Sequence, residues 1–484
     1  MGETSMDLES LEGINTYIEE QMKSWKVPGL SVAVVKDQEI VMMEGYGYRN
    51  VDQNLPVTID TIFAIGSSTK AFTALSAGIM ADEGLLDLDA PVKKYLPGFK
   101  MFDPYATERI TVRDMLCHRT GLPRHELMWY NASMTREDII ERLQFLEPNT
   151  DFRTKWQYQN IMYMVAGYIV GHVSHSSWEE VVQKRILNPL NMSSSQFSVA
   201  LRPSQQDYAL PYKLIEDKAS VIGFRNIDTI GPAGSINSNI RDMANWVRFQ
   251  MNTGLYDGQR IVSSEMLDLI HTPHMICGMS EINENNTNMG SYGLGWSIEP
   301  YRGLRMVYHG GSIDGFTAQV AFVPAEKIGV VVLSNLNATP LPVFIANYIF
   351  DHMLRGEVRD WSGHALAHSK EVTATTESSI NKESSEVKNP NIPSFSSFQD
   401  LLGIYVHPAY GKMTVKLLEG ELYAELNSLL FPLTYHSENQ FELHVIEFNI
   451  KTKATFHLGS NGKVDRLSVI LLMEPGTKEV EFRK

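Results

Sequence analysis

At 484 residues the chain exceeds one ordinary domain and predicts two or three. Its apolar fraction of 43% and charged fraction of 20% are typical of a globular protein. The net charge of −15, without a Lys/Arg-rich run, excludes nucleic acid and anionic membrane surfaces as expected partners.

The first residues of the sequence and its cysteines indicate which compartment and which covalent cross-links to expect. The opening residues, MGETSMDLES, contain neither the basic nor the apolar region of a signal peptide, and no apolar run reaches the roughly 18 residues that cross a bilayer. We therefore expect a cytoplasmic protein without a membrane span, or a secreted one if a leader has been removed. Its two cysteines, Cys117 and Cys277, cannot form a disulfide framework.

The predicted elements of the first 355 residues begin and end with strands. Residues 6–25 carry apolar residues at helical spacing, and GLSVAVVKDQEIVMMEGYG predicts a β-hairpin that turns at Lys36–Gln38. An apolar helix then ends near Gly84, and the pattern stays mainly helical until strands return near residue 291. This order predicts an α+β fold in which both ends of one domain build a single antiparallel sheet with helices packed on it.

Composition changes sharply after this region. Residues 362–394 are rich in Ser, Thr, Glu, Lys and Asn and predict a linker, because they cannot bury enough apolar surface to fold. Alternating apolar residues and the turn dipeptides Glu419-Gly420 and Asn461-Gly462 then predict a small all-β barrel or sandwich. The predicted domain boundaries are 1–358 for the first domain, 359–394 for a flexible linker and 395–484 for the all-β domain.

Ser67 and Lys70 form an S-x-x-K motif at the start of the apolar helix. This spacing puts the lysine amine one helical turn from the serine hydroxyl, and a desolvated amine can act as the base that a serine nucleophile needs. The alternative is a serine at the helix N-terminus with a solvated lysine.

A Y-x-N motif follows in WQYQNIMY, with Tyr158 and Asn160. A phenol beside a lysine can shuttle a proton, and the Asn160 amide can orient the lysine and a substrate amide. The alternatives are a core aromatic residue and a structural turn residue.

The third motif is His309-Gly310-Gly311 on a predicted strand. Glycines there let a substrate backbone lie against the strand edge, so Gly310 and Gly311 are candidate substrate-binding residues. The backbone N–H groups of Ser312 and Ser67 would be the two oxyanion donors. His309 is either catalytic or a strand residue with a satisfied hydrogen bond.

Two other chemistries are disfavoured. His271, His274 and Cys277 in HTPHMIC have a spacing that suggests zinc, but no second ligand group follows, so no metal and no cofactor are predicted. The chain contains no G-x-S-x-G motif, which argues against an α/β-hydrolase.

These three motifs, in this order and at spacings of about 90 and 150 residues, resemble those of the serine β-lactamase and penicillin-binding-protein superfamily, in its class C-like branch. The stretches LDLDAPVKKYLPGF, ITVRDMLCHRTGLP, GPAGSINSNIRDMANW and YGLGWSI are similar to that branch as well. The resemblance covers about residues 10–355 and implies a β-lactamase/transpeptidase-like fold. Residues 395–484 are similar to the lipocalin-like C-terminal domain of some of these hydrolases, including an archaeal self-compartmentalising peptidase.

The resemblance also implies roles for the motif residues. Ser67 would be the acylated nucleophile, Lys70 its base partner, Tyr158 the acid/base at the leaving group and Asn160 the orienting residue. His309 lies where many relatives have the lysine of K-T-G. A lysine there binds the carboxylate of a β-lactam or of a D-Ala-D-Ala terminus, whereas histidine is mostly neutral near pH 7.

The expected function is therefore a serine hydrolase that forms an acyl-enzyme on small peptides or amides, D-aminopeptidase-like, with esters next and β-lactams third. Alternatives are a penicillin-binding or weak β-lactamase protein, or a catalytically weak scaffold with the same fold. The barrel could cap the site, carry an apolar ligand or mediate assembly, which would make the partner a second copy of the chain.

Overall fold

The computed structural model describes residues 13–200, 207–279, 289–367, 398–471 and 477–484. These residues divide into two compact units. Unit 1 contains residues 13–97, 110–119 and 162–367, and unit 2 contains residues 98–109, 120–161 and the described residues from 398 onward. The predicted linker lies largely outside the described residues, and the domain boundaries at 358 and 395 stay predictions.

Helices occur in both units, and their bounds follow in chain order. They are α1 Ile14–Trp25, α2 Thr69–Asp82, α3 Pro104–Arg109, α4 Val112–Leu116, α5 Glu126–Trp129, α6 Arg136–Arg142, α7 Asn160–Val173, α8 Trp178–Val182, α9 Gly231–Gly234, α10 Ile240–Gln250, α11 Ser264–Ile270 and α12 Leu341–Met353. Among the described residues, no helix combines the length and the apolar character that spanning a membrane requires.

The strands of unit 1 come from its two ends and from short hairpins between them. They are β1 Gly29–Lys36, β2 Glu39–Asn50, β3 Leu55–Pro56, β4 Phe63–Ala64, β5 Tyr212–Ile215, β6 Lys218–Val221, β7 Asn237–Ser238, β8 Leu255–Tyr256, β9 Gln259–Arg260, β10 Met275–Met279, β11 Met289–Tyr292, β12 Ser297–Tyr301, β13 Leu304–Ile313, β14 Phe316–Val323 and β15 Ile328–Ser334.

A nine-stranded sheet dominates the described part of unit 1, in the order β10-β11-β12-β13-β14-β15-β1-β2-β3. Every neighbouring pair is antiparallel, and β1 pairs with β15 in a register that sets Val32 opposite Val332. The β1–β2 turn has positive φ at Asp37 and Gln38, as a two-residue hairpin requires. The predicted α+β fold, with one sheet built from both ends of the domain, is therefore confirmed.

Helices cover both faces of this sheet. Leu30, Val32 and Val34 lie in one buried cluster with residues of α1 and α12. On the other face α10 packs on β1 and β15, and Val247 lies so close to Gly329 that a Cβ there would be 2.1 Å away. Because helices cover both faces, β1 and β15 are mostly apolar and buried, and they do not alternate between apolar and exposed polar residues.

The helix that carries the S-x-x-K motif is buried almost completely. A 3₁₀ turn, Gly66–Ser68, leads into α2, which ends at Asp82. Gly84 has φ +73° and stops the helix near the predicted residue, because only glycine adopts this left-handed conformation without strain.

Unit 2 contains a closed antiparallel barrel of eight strands. The strands, which confirm the predicted all-β C-terminal barrel, are β16 Gly403–His407, β17 Gly411–Leu418, β18 Glu421–Leu426, β19 Leu429–Ser437, β20 Gln440–Val445, β21 Ile450–Leu458, β22 Val464–Val469 and β23 Val480–Arg483.

The interior of this barrel is filled by its own side chains. Alternate residues are buried along strands such as β18 and β20, and aromatic rings pack edge to face, as Phe441 does on Phe456 at a centroid distance of 5.3 Å. Tyr405 packs on Phe456 from another strand. An eight-stranded barrel is just wide enough for such a packed core.

Candidate active site

Ser67 lies in the 3₁₀ turn that leads into α2, and its side chain is half-buried between buried neighbours. Strand β4 precedes this turn and pairs with β7, so the chain before Ser67 runs beside the chain that follows α9. The pairing brings α9 close to the S-x-x-K motif.

Lys70 is fully buried, which contradicts the alternative of a solvated lysine. Its Nζ donates to the Ala233 carbonyl oxygen at 2.8 Å and lies 3.2 Å from Ser67 Oγ. The same nitrogen is 5.3 Å from the centre of the Tyr163 ring. The amine is therefore held against the serine hydroxyl by a fixed backbone acceptor.

Two threonines of α2 hold that acceptor in place. Thr73 Oγ1 donates to the Pro232 carbonyl at 2.6 Å, and the Ile236 N–H donates to Thr69 Oγ1 at 3.1 Å. Both bonds are buried, and together they fix the α9 segment, and hence the Ala233 carbonyl, against the helix that carries Lys70.

His309 lies in β13 and is buried. Its Nδ1 is 2.6 Å from the Gly310 carbonyl oxygen, and its Nε2 is 2.9 Å from the Tyr292 hydroxyl. A carbonyl can only accept, so Nδ1 carries the proton and Nε2 accepts from Tyr292. Burial and the adjacent Lys70 amine lower the pKa of His309 to about 3, against the opposing effect of the hydrogen bond to Gly310. The imidazole is therefore neutral at pH 7.

Strand β13 approaches the Ser67 turn so closely that both segments need a glycine. A Cβ on Gly311 would lie 1.8 Å from the Ile65 carbonyl oxygen and 3.2 Å from the Ser67 nitrogen. A Cβ on Gly66, which has φ +50°, would lie 2.8 Å from the Ser312 nitrogen. Ser68 Oγ also donates to the His309 carbonyl oxygen at 3.0 Å. The backbone nitrogens of Ser67 and Ser312 thus belong to two segments in direct contact.

The Y-x-N motif belongs to unit 2. Asn160 is the first residue of α7, and its Nδ2 donates to Glu126 Oε1 at 2.9 Å. The half-buried Tyr158 ring has the Arg124 guanidinium carbon 5.1 Å from its centre and packs beside Trp156.

Unit 1 therefore brings together the predicted Ser67, Lys70, His309, Gly310, Gly311 and Ser312, whereas Tyr158 and Asn160 are described within unit 2. Sequence reasoning missed the Ala233 carbonyl, the Tyr292 hydroxyl and the Glu126 carboxylate. A signal existed for the two side chains, because Tyr292 lies in YGLGWSI and Glu126 shortly after ITVRDMLCHRTGLP, both recognised as similar to the superfamily. A backbone carbonyl such as that of Ala233 has no such signal.

His271 and His274, two of the three residues considered for zinc, have hydrogen-bonding partners within the protein. His271 Nε2 is 2.9 Å from Gln250 Oε1, and burial lowers the pKa of this imidazole to about 3. His274 Nε2 lies 3.0 Å from the Leu269 carbonyl oxygen. Burial raises the pKa of the Cys277 thiol to about 12, so this side chain is a protonated thiol near neutral pH.

Comparison with known proteins adds independent information. The sequence model described as Beta-lactamase matches residues 14–352, and the one described as a domain of unknown function (DUF3471) matches residues 387–484. The chain is 26% identical to the protein named Unguisins hydrolase ungD' of Aspergillus campestris, over 96% of this chain and 90% of that protein. It is 28% identical to Protein flp of Staphylococcus aureus, over 70% of this chain and 65% of that protein.

A solved structure is similar over the whole chain. The octameric penicillin-binding protein homologue from Pyrococcus abyssi aligns with a TM-score of 0.62 and 25% sequence identity. The alignment covers 98% of this chain and 100% of that one. The similarity therefore includes the barrel as well as the large sheet.

Replacing Gly311 with alanine should destabilise the protein, because the new Cβ would overlap the Ile65 carbonyl and force the two segments apart. We expect the free energy of unfolding, measured by urea denaturation, to fall by about 1–3 kcal/mol. Gly310→Ala is the matched control, since its Cβ would lie 3.3 Å from Gln319 Oε1 and 3.7 Å from the Ala318 carbonyl oxygen, without the overlap that Gly311→Ala creates. Equal effects of the two substitutions would contradict the close approach.

The neutral, buried His309 should make stability depend on pH. The unfolded chain takes up a proton on this imidazole below about pH 6.5, whereas the folded protein does so only near pH 3. The free energy of unfolding should therefore decrease as the pH falls through this window. The decrease between pH 5.5 and 4 should be steeper than in His309→Asn by about 1.4 kcal/mol per pH unit. Urea titrations at several pH values test this, and identical slopes would contradict it.

Proposed function

This chain belongs to the β-lactamase family, and on that premise we propose that it is a serine hydrolase whose acyl-enzyme forms on Ser67. The observation that carries the proposal is the buried amine of Lys70, 3.2 Å from Ser67 Oγ. Burying a lysine amine is costly for a fold, and the same desolvation makes the amine easier to deprotonate and so useful as a proton acceptor.

The proposed reaction has two stages. Ser67 Oγ attacks the substrate carbonyl carbon while Lys70 takes the hydroxyl proton, and the N–H groups of Ser67 and Ser312 stabilise the oxyanion. Tyr158 gives a proton to the leaving group as the scissile bond breaks, and Asn160 orients the substrate amide. Water then attacks the acyl-enzyme ester and gives a proton to the Tyr158 phenolate. As the Ser67–acyl bond breaks, Lys70 returns its proton to Ser67 Oγ, and the acid product is released. The roles of Tyr158 and Asn160 rest on the sequence resemblance.

The neutral His309 supports a particular substrate class. A substrate carboxylate at this position would meet an imidazole that already donates Nδ1–H to a carbonyl and carries no charge. Desolvating a carboxylate without a cationic partner is unfavourable. We therefore favour small peptides or amides, D-aminopeptidase-like, then short-chain esters, and β-lactams last. The relative named as a hydrolase of unguisins is consistent with hydrolytic activity in the family.

The second candidate is a penicillin-binding protein, or a weak β-lactamase, with slow deacylation. It is supported by the similarity to the archaeal protein, which is described as a penicillin-binding protein homologue. A catalytically weak scaffold is less consistent with a buried Lys70 held beside Ser67.

A fluorophosphonate probe should label Ser67, and mass spectrometry of the digested protein should locate the adduct there. Ser67→Ala should abolish labelling, and Lys70→Met should slow it at least about 100-fold, because it removes the base but keeps the volume. Ser76→Ala is the matched control, since the hydroxyl of this buried serine bonds the Thr73 carbonyl within the same helix and should leave labelling intact when removed. A wild-type protein without an adduct on Ser67 would refute the proposal, and slowly released penicillin on Ser67 would favour the second candidate.

The substrate preference can be tested with two substrates that share the same scissile bond and differ only in the charge of the C-terminal group. We expect kcat/KM for the C-terminal amide of N-acetyl-D-alanyl-D-alanine to exceed that for the free acid about tenfold or more, because only the acid loses solvation of a carboxylate. Nitrocefin should be hydrolysed more slowly than a nitrophenyl ester. Preference for the free acid would contradict the role assigned to the neutral His309.

A further inference from the structure

Three consecutive residues of unit 2, Arg124, His125 and Glu126, contact the Y-x-N motif on one side and the barrel on the other. Arg124 Nε and Asn160 Nδ2 both donate to Glu126 Oε1, each at 2.9 Å. The Arg124 guanidinium also lies over the Tyr158 ring. The tripeptide thus holds both polar residues of the motif.

Burial of the Glu126 carboxylate restricts the orientation of the Asn160 amide that it bonds. The Glu126 side chain is 10% exposed, whereas that of Arg124 is 42% exposed. A carboxylate removed from water is stable only when its oxygens keep hydrogen-bonding partners, so Glu126 fixes the side of the Asn160 amide that carries Nδ2. The Asn160 oxygen is thereby directed away from Glu126.

His125 makes the contact with the barrel. Its Nδ1 is 2.7 Å from the hydroxyl of Tyr410, and both side chains are buried. Tyr410 follows β16 and packs in turn on Phe482 of β23 at a centroid distance of 5.9 Å. One hydrogen bond therefore connects His125, the residue between Arg124 and Glu126, to the aromatic side chains inside the barrel.

Further bonds flank this contact within unit 2. Arg142 Nη1 donates to the Ala409 carbonyl at 2.9 Å, next to Tyr410. Asn427 Nδ2 donates to the Leu127 carbonyl at 2.8 Å, directly after Glu126. The barrel therefore also bonds residues that follow the tripeptide in the chain, which limits the freedom of this segment to move.

We infer that the C-terminal barrel is a positioning element for the Y-x-N motif, acting through Tyr410, His125 and Glu126 on the amide of Asn160. This inference rests on the proposed serine hydrolase function and adds to it the role of the barrel. Groups that orient a reacting substrate must be held within about 0.5 Å, and Tyr158 and Asn160, at the N-terminal end of α7, receive such support from Arg124 and Glu126. The barrel should therefore affect kcat more than KM.

A matched pair of substitutions in the full-length protein tests the connection. Tyr410→Phe removes the hydroxyl that bonds His125, and Tyr405→Phe removes a buried hydroxyl that bonds the Leu401 carbonyl at the same distance of 2.7 Å. We expect Tyr410→Phe to lower kcat about two- to tenfold with little change in KM, the size of one neutral hydrogen bond. Tyr405→Phe should leave both constants within twofold.

Glu126 provides the second test. Glu126→Ala should lower kcat about 10- to 100-fold, and Glu126→Gln, which keeps an oxygen for Asn160, should restore most of it. In an Asn160→Ala background, Glu126→Ala should have less than a twofold further effect, because both changes remove the same interaction. A merely structural Glu126 would give additive losses.

The outcomes separate the two proposals. If Ser67 of the wild-type protein is labelled but Tyr410→Phe and Tyr405→Phe behave alike, or the Glu126 and Asn160 effects add, the inference is wrong and the proposed function stands. Thermal unfolding of each variant shows whether a loss of activity arises from a loss of the fold. If wild-type Ser67 is not labelled, the proposed function itself fails.

Discussion

The rest of the site depends on how closely β13 approaches the turn before α2. Gly66 and Gly311 permit this approach, because a side chain on either would overlap the backbone of the other segment. The approach places the nitrogens of Ser67 and Ser312 on facing segments, and Ser68 bonds the His309 carbonyl across it. Since β13 is hydrogen-bonded to β12 and β14, the register of the whole sheet determines where the turn meets the strand.

Lys70 and His309 lie close together, so protonation of one side chain disfavours protonation of the other. Two buried cations side by side would repel strongly in a medium of low polarity, so at most one of the two side chains carries a positive charge. The low pKa of His309 reflects its burial first and the Lys70 amine second. The amine therefore keeps the Ala233 carbonyl and Ser67 as partners while the imidazole stays neutral. Under the proposed function, the neutral imidazole links the packing of β13 to the preference for substrates without a carboxylate at this position.

The sequence predicts the part of the site that local spacing determines. Ser67 and Lys70 are one helical turn apart, and the β13 glycines follow His309 directly, so these residues could be identified without coordinates. The Ala233 carbonyl could not, since a backbone acceptor depends on tertiary contacts such as the Thr73 bond and leaves no mark on residue type. The sequence also could not predict that residues 120–161 group with the barrel, because contacts such as His125 with Tyr410 join residues 285 positions apart.

The position of β1 in the middle of the sheet has a consequence for synthesis of the chain. Leu30 pairs with Ser334, so about 300 residues must be translated before β1 gains its second neighbour. At ribosomal rates of about 5–20 residues per second, this apolar strand waits roughly 15–60 s with one edge unpaired. The barrel strands, by contrast, pair mainly with their neighbours in sequence and can form as they emerge. The nascent β1–β2 hairpin therefore exposes an unpaired apolar edge for most of the synthesis of this domain, which makes it a substrate for chaperones.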